Sequence, residues 1–216
     1  MKAIVFDMDG VLFDTERVYF EAWDCTASDM GISPEQINEI RDRCAGHNGA
    51  DIAVMFDAYF ENKYTYAEFG PKKTAHFHRI LDERGIPLKE GLFEILDFLK
   101  QDGYRIALAT STRRESAMHH LTKAGILGYF DVLTTGDMFA HGKPDPEIYL
   151  TACRLLGSDP AETYAVEDSY PGLESAHRAG MKPIMIPDLF PPTEFTRSVA
   201  TTYPSLLALR DALKNQ

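Results

Sequence analysis

Ile4-Val5-Phe6-Asp7-Met8-Asp9-Gly10 is an apolar run that stops abruptly at two carboxylates and a glycine. Ala3 to Phe6 is short, continuous and partly β-branched, which reads as a buried strand. Asp7 and Asp9 stand two residues apart at its end, so their side chains point the same way if the extended geometry continues. Gly10 lets the backbone turn sharply right behind them.

Working outward, Asp14-Thr15 offers a helix cap before a run carrying Val18, Trp23 and Met30. From Glu16 to about Pro87 the pattern is helical throughout. Ser33-Pro34-Glu35-Gln36 combines a capping box with proline at the first helical position. Gly46-His47-Asn48-Gly49 breaks the pattern, and 51–60 and 66–84 resume it. The chain then alternates. Helices are expected at 91–100, 113–124, 144–156 (opened by Pro144), 172–179 and 204–213. Strands are expected at 104–109, 130–133, 163–166 and 183–186. Such alternation means right-handed βαβ units and a parallel sheet. The expectation is an α/β fold, a doubly wound, Rossmann-like core formed by 1–15 and 88–216. An all-helical cap domain, 16–87, is inserted after the first strand.

The 216 residues suffice for a domain with an insert, and 44% hydrophobic and 25% charged residues fit a globular chain with a sizeable core. A net charge of −11 opposes nucleic-acid binding and demands that any phosphate site be made locally positive. Cys25, Cys44 and Cys153 are odd in number and far apart, which argues against a disulfide framework and for a reducing cytoplasm. No signal peptide or membrane span is legible. A monomer is the default expectation.

Ligands of open parallel sheets sit outside the carboxyl ends of the strands. Past the first strand come Asp7 and Asp9, and past the second Thr110-Ser111-Thr112. Past the third comes His141-Gly142-Lys143-Pro144, and past the fourth Glu167-Asp168-Ser169. Singly, these segments read as helix caps or as a solvated loop charge. Together they bring Asp7, Asp9, Glu167 and Asp168 to one end of the sheet. Two carboxylates about 4 Å apart repel by roughly 4 kcal/mol at a surface-like dielectric. Lys143 alone does not offset this, and a hard cation such as Mg2+ is the natural remainder. One aspartate can then attack phosphorus while the other gives and takes a proton. Lys143 and Thr110 would neutralise and position the phosphoryl group.

These segments resemble the haloacid dehalogenase superfamily of phosphohydrolases with a helical cap, in the β-phosphoglucomutase-like subgroup. The resemblance rests on Asp7-Met8-Asp9-Gly10-Val11-Leu12-Phe13-Asp14-Thr15, on Thr110, on Lys143 in Gly142-Lys143-Pro144-Asp145-Pro146-Glu147-Ile148-Tyr149, and on Glu167-Asp168-Ser169-Tyr170-Pro171-Gly172. It implies that Asp7 is the nucleophile and forms an aspartyl phosphate, with Asp9 as general acid/base. It implies Mg2+ held by Asp7, the Asp9 carbonyl and Asp168, with Glu167 acting through water. It also implies that Thr110, the backbone around Ser111, and Lys143 hold the phosphate.

Asp9 favours phosphate chemistry, because the family's dehalogenases lack this second aspartate. Its phosphonatases use a cap lysine, and the first cap helix offers Arg17 instead. Its mutases carry a histidine where motif spacing places Tyr19, and an arginine in the loop that here reads Gly46-His47-Asn48-Gly49-Ala50-Asp51. The expected activity is therefore hydrolysis of a phosphomonoester, a sugar phosphate or small phosphorylated metabolite. The alternatives are a phosphosugar mutase and a catalytically silent phosphometabolite-binding module. Cap specificity falls to Arg17, Tyr19, His47 and Asn48, with Lys72 and Lys73 read as a solvated helix face. Leu189-Phe190-Pro191-Pro192-Thr193-Glu194-Phe195 reads as a surface loop with exposed apolar groups.

Overall fold

A computed structural model describes residues 1–44, 49–189 and 191–215. In chain order these form β1 (Ala3–Phe6), α1 (Thr15–Met30), α2 (Pro34–Cys44), α3 (Gly49–Tyr59), α4 (Tyr66–Arg84), α5 (Leu92–Gln101), β2 (Arg105–Thr110) and α6 (Arg114–Lys123). There follow β3 (Val132–Thr135), α7 (Glu147–Leu156), β4 (Thr163–Glu167), α8 (Tyr170–Arg178), β5 (Lys182–Met185), α9 (Glu194–Val199), β6 (Thr201–Thr202) and α10 (Leu206–Lys214). The chain divides into two compact units. One is Met1–Asp14 with Ile86–Gln216, and the other is Thr15–Gly85.

The first unit is built on a six-stranded sheet of order β3-β2-β1-β4-β5-β6, every pairing parallel. The order reverses between β1 and β4, and that is where a doubly wound sheet opens a crevice at its carboxyl edge. Phe6 pairs with both Leu108 and Val166, so β1, β2 and β4 end nearly level. Alternation along the strands separates two cores. Ile4, Phe6, Ile106 and Leu108 pack with α5, α6 and α10. Ala3, Val5, Ala107, Ala109 and Ala165 pack with α7 and α8. On α5, Leu92, Ile95, Leu96 and Leu99 recur at helical spacing and are all but fully buried. Each contributes about 2 kcal/mol by leaving water. The alanines on the other face keep that layer thin, which brings α7 close to the sheet.

The second unit is the helix set α1–α4, with no strand among its described residues. Its core is aromatic, with Trp23 and Phe69 ring centroids 4.9 Å apart and Phe56 and Phe69 4.7 Å apart.

Two local expectations need correction, and one edge strand was not expected. The helix expected from Pro144 begins at Glu147. Asp145 precedes Pro146, a position disfavoured for α backbone. Its carboxylate instead accepts the Glu147 N–H at 2.9 Å, forming a turn. The tail at 189–195 runs into α9, started by a Thr193 hydroxyl that accepts the Thr196 N–H. Leu189 and Phe195 are exposed there, and Phe190 lies outside the described residues. The edge strand β6 has only two residues, too short for periodicity to show. No helix of the described residues is long and apolar enough to cross a membrane.

Candidate active site

Level strand ends bring the carboxylates together. The Asp7 N–H donates to the Val166 carbonyl at 2.9 Å, so Asp7 continues the β1–β4 ladder and its carboxylate emerges beside Glu167. Ligand oxygens of Asp7, Glu167 and Asp168 all lie within 4.8 Å of one another, and all three residues are buried.

Lys143 enters from the loop before α7. Its ammonium donates to Asp7 Oδ1 at 2.5 Å, Glu167 Oε1 at 2.6 Å and the Ala109 carbonyl at 2.9 Å. All three N–H bonds of the ammonium are thereby used. The two flanking carboxylates hold its pKa above the ordinary lysine value despite burial. For Asp7 the balance is reversed. Burial pushes its carboxyl up to about 8, Glu167 and Asp9 add to the rise, and Lys143 opposes it. Three buried carboxylates thus gather with one ammonium, paired to two of them, which fits the donor set of a hard divalent cation.

Glu167 is fully buried, and its lone pairs are taken. Oε1 accepts from Lys143 and from the Tyr149 hydroxyl at 2.8 Å. Oε2 accepts the Ser169 hydroxyl at 2.9 Å and the N–H groups of Asp168 and Ser169 at 3.2 Å. A carboxylate so satisfied suits an outer position better than direct ligation. Ser169 also caps α8 by accepting the Gly172 N–H at 3.2 Å, so the cap reading of this segment holds and is compatible with its carboxylates standing at the site. A Cβ on Gly172 would fall 1.9 Å from Glu167 Oε1, and one on Gly10, where φ is +79°, would fall 2.3 Å from Asp168 Oδ2. Glycine at both positions leaves room for a carboxylate.

Asp9 is turned to a different neighbour. Its Oδ2 accepts the Thr112 hydroxyl at 2.9 Å. Thr110, buried at the end of β2, accepts the Thr112 N–H at 3.1 Å, and Ser111 follows it exposed on the same loop. Gly136 packs against that loop, because a Cβ there would lie 2.1 Å from the Ser111 carbonyl oxygen.

Within the helical unit, Arg17 is exposed and Tyr19 partly buried on α1, while His47 and Asn48 lie outside the described residues. Lys72 is exposed, but Lys73 is only 6% exposed, which overturns the solvated-face reading for it. Its amine hydrogen-bonds the Tyr19 hydroxyl and, at 3.2 Å, the Tyr66 hydroxyl, and lies 4.0 Å from the Tyr19 ring centroid. Burial pushes its pKa down to about 8. A signal was present, since Phe69, Lys73 and Phe77 follow one another at intervals of four along α4. Tyr149 and the Thr112–Asp9 bond had no comparable signal, because each joins segments far apart in the chain.

A family model described as haloacid dehalogenase-like hydrolase matches residues 4–186. Among curated proteins, the chain is 36% identical over 187 residues to a phosphorylated carbohydrates phosphatase of Thermotoga maritima, covering 85% of this chain and 84% of that protein. It is 33% identical over 190 residues to a β-phosphoglucomutase of Bacillus subtilis, covering 84% and 81%. Among solved structures, CbbY of Rhodobacter sphaeroides in complex with phosphate superposes with a TM-score of 0.74 at 27% identity, covering 97% of this chain and 96% of that one.

Proposed function

The chain belongs to the haloacid dehalogenase-like hydrolase family, and on that premise we propose that it is a magnesium-dependent phosphatase acting on a phosphorylated carbohydrate or similar small metabolite through an aspartyl phosphate. The reading is carried by one observation: Asp7, Glu167 and Asp168 converge in a buried site with Lys143 as the counter-charge between Asp7 and Glu167. The relative named a phosphorylated carbohydrates phosphatase supports the substrate class.

In this reading an Asp7 carboxylate oxygen attacks phosphorus as the ester P–O bond breaks. The Asp9 carboxyl gives its proton to the departing alkoxide. Asp9, then a carboxylate, takes a proton from water as that water attacks phosphorus. The bond to Asp7 breaks and inorganic phosphate leaves. Lys143 neutralises charge throughout, and Thr110 and the backbone at Ser111 hold phosphoryl oxygens. Magnesium would be held by Asp7, Asp168 and the Asp9 carbonyl, and when bound it supplies charge neutralisation at the phosphoryl group. Lys73 and Tyr19 become the leading specificity candidates of the helical unit. Tyr19 in place of an imidazole favours hydrolysis over mutation, since burial pushes its hydroxyl far above the neutral range.

The test is phosphate release from p-nitrophenyl phosphate and a panel of sugar phosphates, with and without Mg2+. No release from any ester would leave the binding-module reading. Conversion of β-glucose 1-phosphate to glucose 6-phosphate faster than phosphate release would establish the mutase instead.

A further inference from the structure

Tyr149 belongs to none of the roles assigned above, yet it is fully buried and reaches the centre of the site. It sits in the first turns of α7, on the face packed against the alanine-lined side of the sheet. Its hydroxyl donates to Glu167 Oε1 at 2.8 Å, the same oxygen that accepts from Lys143. Its ring centroid lies 5.1 Å from the Lys143 ammonium. One side chain therefore touches both the lysine and the carboxylate that holds it. A buried tyrosine hydroxyl needs a partner, but nothing in the fold requires that partner to be the counter-ion of the site's one lysine.

We propose that Tyr149 is a positioning residue that sets where the Lys143 ammonium sits between Glu167 and Asp7, and so how closely it approaches a phosphoryl group bound in front of Asp7. A carboxylate oxygen has two lone pairs. On Glu167 Oε1 the tyrosine hydroxyl fills one and Lys143 the other. Every other acceptor position of Glu167 is engaged by Ser169 and the Asp168 N–H. Glu167 is thus fixed in one orientation and takes a single hydrogen from Lys143. Without the hydroxyl, Oε1 would have an unmet lone pair in a buried site, where unmet acceptors are costly. The nearest donor is the Lys143 ammonium at 2.6 Å. It would be drawn toward Glu167 and away from Asp7, and so from a phosphate bound in front of Asp7. The aromatic ring beneath the ammonium limits the lysine's movement but supplies no hydrogen to Glu167.

The inference rests on the reading of Lys143 as the phosphate-holding cation. Its test uses the full chain with Mg2+. Inorganic phosphate affinity is measured by calorimetry, and kcat and KM on p-nitrophenyl phosphate are measured alongside melting temperature. The variants are Tyr149→Phe, which keeps the ring, Tyr149→Leu, which removes it, Glu167→Gln, and Tyr149→Phe combined with Glu167→Gln. Tyr149→Phe should weaken phosphate binding and lower kcat/KM about tenfold, the scale of one hydrogen bond to a charged group. Tyr149→Leu should lose at least as much. In the Glu167→Gln background the added Tyr149→Phe change should cost less than about twofold, because the two residues act through one contact.

A merely structural tyrosine would give a different pattern: Tyr149→Phe with wild-type phosphate affinity and only Tyr149→Leu impaired. That result, or an undiminished effect in the Glu167→Gln background, overturns the proposal while leaving the phosphatase reading intact. A wild-type chain that neither binds phosphate nor releases it from any ester overturns the phosphatase reading and this inference with it.

Discussion

Lys143 Nζ stands 2.5 Å from Asp7 Oδ1, joining residues 136 positions apart in the chain. The pair is not a simple stabilising bridge. Asp7 is pressed by burial, Glu167 and Asp9 toward its protonated form, and Lys143 only partly opposes them. A carboxyl held this way needs further positive charge to be ionised and to act as the proposed nucleophile, and the proposed cation would supply it.

Asp7→Asn keeps the shape of the side chain and removes the proposed nucleophile. Turnover on p-nitrophenyl phosphate should fall by about 10^4-fold or more, with the fold intact by circular dichroism. Wild-type turnover should itself disappear on chelation and return with Mg2+. Asp7→Asn with activity above a few per cent of wild type would remove Asp7 from the mechanism.

Asp9→Asn should abolish proton transfer and cost about 10^2- to 10^4-fold in kcat. Magnesium affinity, which in this reading uses the Asp9 carbonyl, should stay near wild type by calorimetry. Thr112→Val removes the 2.9 Å hydrogen bond to Asp9 Oδ2, and with it one restraint on the orientation of that carboxylate. Its kcat should drop about tenfold, the scale of one bond to a charged group. Equal kcat in Thr112→Val and wild type would show that the bond does not orient the acid.

Gly10→Ala places a Cβ 2.3 Å from Asp168 Oδ2 at a φ of +79°. The backbone strain costs about 1–2 kcal/mol for an L-residue, and the clash must move Asp168 or the turn. Magnesium affinity and turnover should fall together, along with a lower melting temperature. Gly31→Ala is the control, since its φ of +68° gives similar strain with nothing within 4 Å. It should lose stability and keep magnesium affinity.

Lys73 gives the chain a pH dependence that Lys73→Met lacks. Its folded pKa is about 8 against an ordinary value of 10.5. Between those values the unfolded chain holds more protons at this residue than the folded one, so stability rises with pH. Below pH 8 both states are protonated and the full cost of burying the charge is present. Relative to Lys73→Met, the wild type should gain up to about 3 kcal/mol between pH 8 and 10.5. Trp23, the chain's one tryptophan, is buried 6.0 Å from the Lys73 amine and reports unfolding by fluorescence. A difference independent of pH across that range would mean that Lys73 is solvated.

Strands β1 to β5 and most helices were legible because each is a local pattern. Ala3–Phe6 is apolar without interruption, and Leu92, Ile95, Leu96 and Leu99 repeat at helical spacing. The start of α7 was misplaced because a proline favours a first helical turn, while a second proline two residues on blocks it. The burial of Lys73 was partly legible from its place between Phe69 and Phe77, but its charge argued for solvent.

By itself, the sequence determined which groups stand at or past the end of each strand: Asp7 and Asp9, Thr110, Lys143, Glu167 and Asp168. Residue identity and period are local properties, and they suffice for that. Only the tertiary structure decided how those groups share hydrogens and charge. That Lys143 spends its three hydrogens on Asp7, Glu167 and Ala109, that Thr112 holds Asp9, and that Tyr149 meets Lys143 on one oxygen of Glu167 all depend on strand register and helix approach. Hydrogen bonds have a reach of about 3 Å, and no spacing along a chain specifies distances that short between its distant parts.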